Sequence, residues 1–176
     1  MDLLESLNWS HQKLNELKAP HALIGGMALS EYGYGRGTQD VDWLVPEEFV
    51  DQIVEFFLKN DFKIFHQSAD VLQLTGKAEI DFIIARRPIS RAMIENSLYS
   101  QQLHLPVVLA EDLIGLKIQA YAGNPRRKMK ELSDSQELID RCETLDWEKI
   151  KFYADHFNEW SALSLLRDQS KQKDLP

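Results

Sequence analysis

Ile24-Gly25-Gly26-Met27-Ala28-Leu29, followed after a short gap by Gly35-Arg36-Gly37-Thr38-Gln39-Asp40-Val41-Asp42, is the stretch on which the reading of this chain turns. The apolar run His21-Ala22-Leu23-Ile24 stops at Gly25-Gly26, the pattern of a buried strand with a tight exit. Residues 27–32 suit a short helix, and residues 33–37, with glycine at every second position, a flexible loop. Over residues 40–45 apolar and polar side chains alternate as a strand requires. Asp40, Asp42 and Leu44 then point one way, and Val41, Trp43 and Val45 the other.

That alternation puts two carboxylates on one face, with Cα atoms roughly 7 Å apart. Side-by-side anions repel, more strongly where water is excluded. A hard divalent cation resolves the conflict, because Mg²⁺ takes carboxylate oxygens and keeps water and phosphate as its other ligands. Asp81, within the strand-like run Glu79-Ile80-Asp81-Phe82-Ile83-Ile84, is a third candidate ligand. Alternating acids also occur on ordinary solvent-facing strands, so Asp-x-Asp alone does not decide the matter. Its surroundings add to it. The Gly25-Gly26 turn can offer backbone N–H groups to a phosphate. Arg36 and Thr38 stand just before Asp40, where a guanidinium and a hydroxyl could contact phosphate oxygens.

Around this centre the chain alternates helices and strands. Leu3, Leu7, Leu14 and Leu17 share a helical face over residues 2–18, ahead of Pro20. Pro46 suits a first helical position, with Glu47 and Glu48 at the positive end of the helix dipole and a stripe from Phe49 to Leu58 behind them. Strands are expected at 62–66, 71–75 and 79–84, with a turn at 68–70. After Pro88 the pattern is mainly helical, near 90–98, 111–122, 130–143 and 146–157, with a short strand at 103–108. Asp146 is the expected N-cap of the last helix. Residues 168–176 read as a frayed polar tail. The class is α+β, with a small mixed sheet, flanking helices and a helical C-terminal section.

The 176 residues, 44% hydrophobic and 27% charged, fit one domain, 1–176, with a real core. This balance excludes a disordered or collagen-like chain. The single cysteine, Cys142, cannot form an internal disulfide, and the start Met1-Asp2-Leu3-Leu4-Glu5 lacks the basic residues and apolar run expected of a signal peptide. No apolar run approaches the ~18 residues of a membrane span. These features lead to the expectation of a cytoplasmic protein without a membrane partner. A net charge of −8 argues against general nucleic-acid coating.

Taken together, the quoted residues resemble the signature of the DNA polymerase β-like nucleotidyltransferase superfamily: an apolar residue, Gly-Gly, a gap, Asp-x-Asp, and a third carboxylate on a later strand. The form Arg36-Gly37-Thr38-Gln39-Asp40-Val41-Asp42 is most similar to the AbiEii-like minimal nucleotidyltransferases, which include toxins of toxin–antitoxin systems. Ala110-Glu111-Asp112-Leu113-Ile114-Gly115-Leu116-Lys117 looks like the family's helix with a phosphate-contacting lysine. Lys130-Glu131-Leu132-Ser133-Asp134 resembles a helix start in which Asp is more usual at the place of Glu131. The resemblance covers roughly residues 20–140. It implies a nucleotidyltransferase core at about 20–108 and a helical section at about 109–167.

The resemblance also implies a chemistry. Asp40, Asp42 and Asp81 would be the catalytic, metal-holding carboxylates for Mg²⁺ or Mn²⁺. Gly25, Gly26, Arg36, Thr38 and Lys117 would bind a nucleoside triphosphate. An acceptor hydroxyl would take the nucleoside monophosphate, and pyrophosphate would leave. The acceptor could be tRNA or other RNA, with an antitoxin protein as partner. It could instead be an aminoglycoside or lincosamide antibiotic, or the chain could be a non-catalytic interaction module of the same fold. The cluster Arg126-Arg127-Lys128 with Lys130 leans toward RNA, and the acidic surface toward a cationic small molecule. His11, His21, His66, His104 and His156 show no metal-ligand spacing and read as solvated or capping side chains. Trp9, Trp43, Trp147 and Trp160 read as core or rim aromatics.

Overall fold

A computed structural model describes residues 1–173. They form two compact units: Met1–Glu31 with Gly35–Val108, and Tyr32–Tyr34 with the chain from Leu109 onward.

The first unit begins with α1 (Leu3–Glu16), opened by a capping box in which Asp2 and Glu5 exchange side-chain-to-backbone bonds. Then come β1 (Ala22–Ile24), the single-turn α2 (Gly25–Ala28), β2 (Asp40–Pro46), α3 (Val50–Leu58), β3 (Lys63–Gln67), β4 (Val71–Thr75), β5 (Glu79–Ala85), α4 (Pro88–Glu95), β6 (Leu98–Tyr99) and β7 (Pro106–Val107). The strands make one mixed seven-stranded sheet in the order β3-β4-β5-β2-β1-β7-β6. β2 and β5 are parallel neighbours at its centre, and β1 runs antiparallel to β2.

The alternation within the central strands divides the two faces of the sheet. Val41, Trp43, Val45, Leu72, Leu74, Ile80, Phe82 and Ile84 are buried on one face. Phe57 of α3 meets the Phe82 ring edge-on at 5.3 to 5.4 Å from its aromatic neighbours, among them Trp9 of α1. Trp43 Nε1 donates to Ser10 Oγ of α1 at 2.9 Å, so its one polar atom is satisfied inside the core. Asp40, Asp42 and Asp81 lie on the opposite face.

The second unit consists of α5 (Ala110–Gly123), α6 (Lys128–Arg141), α7 (Trp147–His156) and α8 (Trp160–Lys173). Gly115 lets α7 approach α5 closely, since a Cβ there would stand 2.6 Å from the Tyr153 ring. The Tyr153 hydroxyl donates to the buried Asp112 at 2.5 Å, and the Lys149 ammonium pairs with the same oxygen at 2.6 Å. Burial, then the hydrogen bond and charge of Asp112, push the Tyr153 phenol up. Asp146 caps α7 by accepting from the Lys149 N–H at 3.0 Å, as its position suggests.

Several elements differ from the sequence reading. The helix after β1 starts at Gly25 rather than at residue 27, and Pro46 ends β2 ahead of a 3₁₀ turn rather than entering the helix. Strand 103–108 shrinks to Pro106–Val107 and pairs with β6, which falls where a helix end was expected. Much of the supposed tail is helix: α8 runs to Lys173, and residues 174–176 of that tail lie outside the described residues. His21 is not a solvated side chain. It is buried, with the edge of its ring against Trp43.

The His21 site has a definite hydrogen pattern. Nδ1 donates to the Ala19 carbonyl at 2.7 Å, so the neutral ring leaves Nε2 as acceptor, 2.7 Å from His11 Nδ1. Burial pushes the His21 imidazole down to about 4. The Ala19 bond opposes the shift and the neighbouring His11 adds to it. Above the ordinary value of 6.5 the ring is neutral whether the chain is folded or not, and its packing stabilises the fold in full. As pH falls below that value the unfolded chain takes up a proton that the folded one refuses, so stability is lost down to about pH 4. The expected loss between neutral pH and about pH 5 is ~2 kcal/mol, beyond that from carboxylates. Urea titrations of wild type and His21→Asn at both pH values should show the excess loss in wild type alone. Equal losses would mean that His21 titrates normally in the folded protein.

Candidate metal and nucleotide site

The parallel register of β2 and β5 sets Asp40 across from Glu79 and Asp42 across from Asp81. Asp40 and Asp42 share a face because they are two apart, and Asp81 joins them because residues paired in register point the same way. Asp40, Asp42 and Asp81 are half-buried, and each offers a carboxylate oxygen within 4.8 Å of those of the other two. Convergent hard oxygen donors from adjacent rigid strands fit Mg²⁺ or Mn²⁺. Sulfur and imidazole ligands are absent from this group, which does not suit zinc.

The glycine turn packs directly on these side chains. Gly25 has φ +69°, and a Cβ there would stand 1.9 Å from Asp42 Oδ2. Only a glycine fits both the backbone and the space. A Cβ at Gly26 would stand 2.8 Å from Thr38 Cβ and 3.1 Å from Arg36 Nη2. The Thr38 hydroxyl donates to Asp40 Oδ1 at 2.5 Å, orienting that carboxylate with a neutral donor. Gly25, Gly26, Arg36, Thr38, Asp40, Asp42 and Asp81 are thus brought together in the first unit.

Lys117 belongs to the second unit, on α5. It is 5% exposed, and its ammonium donates to Asp134 at 2.7 Å and to Glu131 at 3.2 Å. Glu131 also accepts two bonds from Arg127, at 2.6 and 3.0 Å. Burial pushes the Glu131 carboxyl up, but Lys117 and Arg127 more than offset this and hold it below its ordinary value. Glu131, the departure from the family pattern, therefore has a defined place: its longer side chain bridges Lys117 and Arg127. Truncating Lys117 would remove the ammonium from buried Asp134 and leave Glu131 still paired to Arg127, a change of the kind that costs ~3–5 kcal/mol.

One residue of the site went unnoticed in the sequence. Gln73, on β4, lies across from Asp81 and donates from Nε2 to Asp81 Oδ2 at 2.5 Å. The alternation of Val71, Gln73 and Thr75 against buried Leu72 and Leu74 was a usable signal for its facing. Its pairing with Asp81 depends on an antiparallel register that no local pattern specifies.

No family model matches the chain, and no curated protein matches it in sequence. Solved structures do share the fold. The antibiotic-resistance factor ANT(2'')-Ia aligns at TM-score 0.66 and 14% identity, over 96% of this chain and all (100%) of its own. An antigenic nucleotidyltransferase-like protein from Paracoccidioides brasiliensis aligns at 0.58 and 15% identity, over 95% of this chain and 92% of its own. The lincosamide antibiotic adenylyltransferase LnuA aligns at 0.56 and 12% identity, over 76% of this chain and 94% of its own. The chain therefore has the nucleotidyltransferase fold expected from the resemblance. Among the described residues no helix is long and apolar enough to cross a membrane.

The contact between Gly25 and Asp42 generates a test. Gly25→Ala must displace the Asp42 carboxylate and strain the backbone, at an expected ~1–3 kcal/mol. Gly37→Ala, where an added Cβ meets nothing within 4 Å, is the control. Melting curves should separate the two variants by several degrees, and Gly25→Ala should also lose any Mg²⁺-dependent rise in melting temperature. Identical behaviour would show that the Gly25 turn does not bear on Asp42.

Proposed function

We propose that the protein is a metal-dependent nucleotidyltransferase that moves a nucleoside monophosphate from a nucleoside triphosphate to an acceptor hydroxyl. The observation that carries this reading is the in-register convergence of Asp40, Asp42 and Asp81 beside the Gly25-Gly26 turn. Asp40 and Asp42 would hold Mg²⁺ or Mn²⁺, and Asp81 would complete the set. When bound, the cation supplies neutralisation of triphosphate charge and polarisation of the phosphorus centre. Arg36 and the N–H groups of the glycine turn would contact the phosphates, while Thr38, whose one hydroxyl proton goes to Asp40, would act by orienting that carboxylate. Asp81 accepts the proton of the acceptor hydroxyl as its oxygen bonds to the α-phosphorus. The α–β bridging bond breaks, and its electron pair leaves with pyrophosphate. Lys117, whose ammonium is committed to Glu131 and Asp134, is assigned to the packing of α5 against α6.

For the acceptor, a small hydroxylated cation is the better supported class. Two of the four clustered cations are committed within the chain, Arg127 to Glu131 and Lys128 to Glu159 at 2.9 Å, which lowers the charge available to an RNA backbone. The net charge of −8 suits a cationic acceptor. ANT(2'')-Ia, which has been solved with adenylyl-2''-tobramycin, shares the fold over 89% of this chain. Exposed Arg126 and Lys130 favour the second reading, an AbiEii-like toxin that modifies tRNA or other RNA in the cytoplasm and is held in check by an antitoxin.

Incubation with each labelled nucleoside triphosphate, Mg²⁺, and either an aminoglycoside and lincosamide panel or total RNA would identify base and acceptor together. Asp42→Asn should lose at least ~100-fold in rate, the low end for electrostatic catalytic groups. Turnover by that variant at the wild-type rate would refute the assigned site.

A further inference from the structure

Gln73 extends the acidic pair into a row. Asp42 on β2, Asp81 on β5, Gln73 on β4 and His66 on β3 are successive cross-strand partners, so four strands place these side chains side by side. Gln73 is half-buried, and its amide donates to Asp81 Oδ2 at 2.5 Å. Asp40 has a matching neutral donor in the Thr38 hydroxyl, also at 2.5 Å. The outer members of the carboxylate group are therefore each held by an uncharged hydrogen-bond donor.

We propose that Gln73 is a positioning residue for the cation site, an inference that rests on the metal-dependent reading above. Its bond to Oδ2 restricts rotation of the Asp81 carboxylate and keeps the three ligand oxygens within 4.8 Å of one another. A neutral donor is the chemistry this position needs. A lysine would reach the same oxygen with a charge that competes with the cation. A glutamate would add another anion beside Asp81 and remove the donor. An apolar side chain would leave Asp81 without this restraint. Hydrogen bonds of this kind set ligand orientation, and their loss costs ~10–100-fold in metal affinity or activity. A polar residue that merely solvates the strand predicts no such dependence.

The test is Mn²⁺ binding, read from the electron paramagnetic resonance signal of free Mn²⁺, on the wild-type chain, Gln73→Met and Gln73→Lys. Methionine keeps the length and removes the donor, and lysine keeps the stem and adds a charge. We expect Gln73→Met to weaken the Mn²⁺ dissociation constant ~10–100-fold with an unchanged metal-free melting temperature, and Gln73→Lys to weaken it further. Should Gln73→Met fold poorly, Gln73→Leu, which also lacks the donor, reads the same effect. A wild-type dissociation constant in Gln73→Met, whatever the value for Gln73→Lys, would overturn the inference while leaving the cation site intact. Absence of Mn²⁺ binding by the wild-type chain would overturn both.

Discussion

Asp42 stands directly across from Asp81 on parallel strands, and everything else in the first unit accommodates that pairing. Like charges opposed on a sheet destabilise it. The offset comes from the other face, where Trp43 and Phe82 sit one residue further along the same two strands and are fully buried. Register and repulsion are thus linked. A one-residue slip of β5 would relieve the carboxylates only by turning Ile80, Phe82 and Ile84 out of the core. The charged face is held in place by the apolar one.

The glycine turn depends on the same arrangement. Gly25 lies against Asp42 because β1 pairs with β2, setting Ile24 across from Asp42. The next residue must then turn away at positive φ, directly over the carboxylate. Gly-Gly is therefore a steric consequence of bringing a strand end and an aspartate into contact. The phosphate contacts proposed for its backbone N–H groups rest on that geometry.

What could be read from the sequence was what local pattern encodes. The alternation from Asp40 to Val45 gave the facing of Asp40 and Asp42, and the isolated Asp146 gave a helix cap. What escaped it depended on partners distant in the chain. Gln73 meets Asp81 only through the antiparallel register of β4 with β5, and β6 exists only because β7 pairs with it. His21 reads as polar, yet a carbonyl and His11 satisfy both its ring nitrogens, so burial becomes tolerable. The resemblance makes Lys117 a phosphate-contacting lysine, and nothing local shows that its partners Glu131 and Asp134 lie on α6. The polar stretch 168–173 lacks an apolar stripe but continues a helix begun at Trp160.

The most direct test of the account is thermal melting of the wild-type chain and the Asp40/Asp42/Asp81→Asn triple variant, in EDTA and in Mg²⁺ at matched ionic strength. If the three carboxylates form one cation site, Mg²⁺ at ~100 times its dissociation constant stabilises the wild type by about 2.7 kcal/mol and leaves the triple variant unmoved. Equal Mg²⁺-dependent shifts in the two proteins, or none in the wild type, would contradict it.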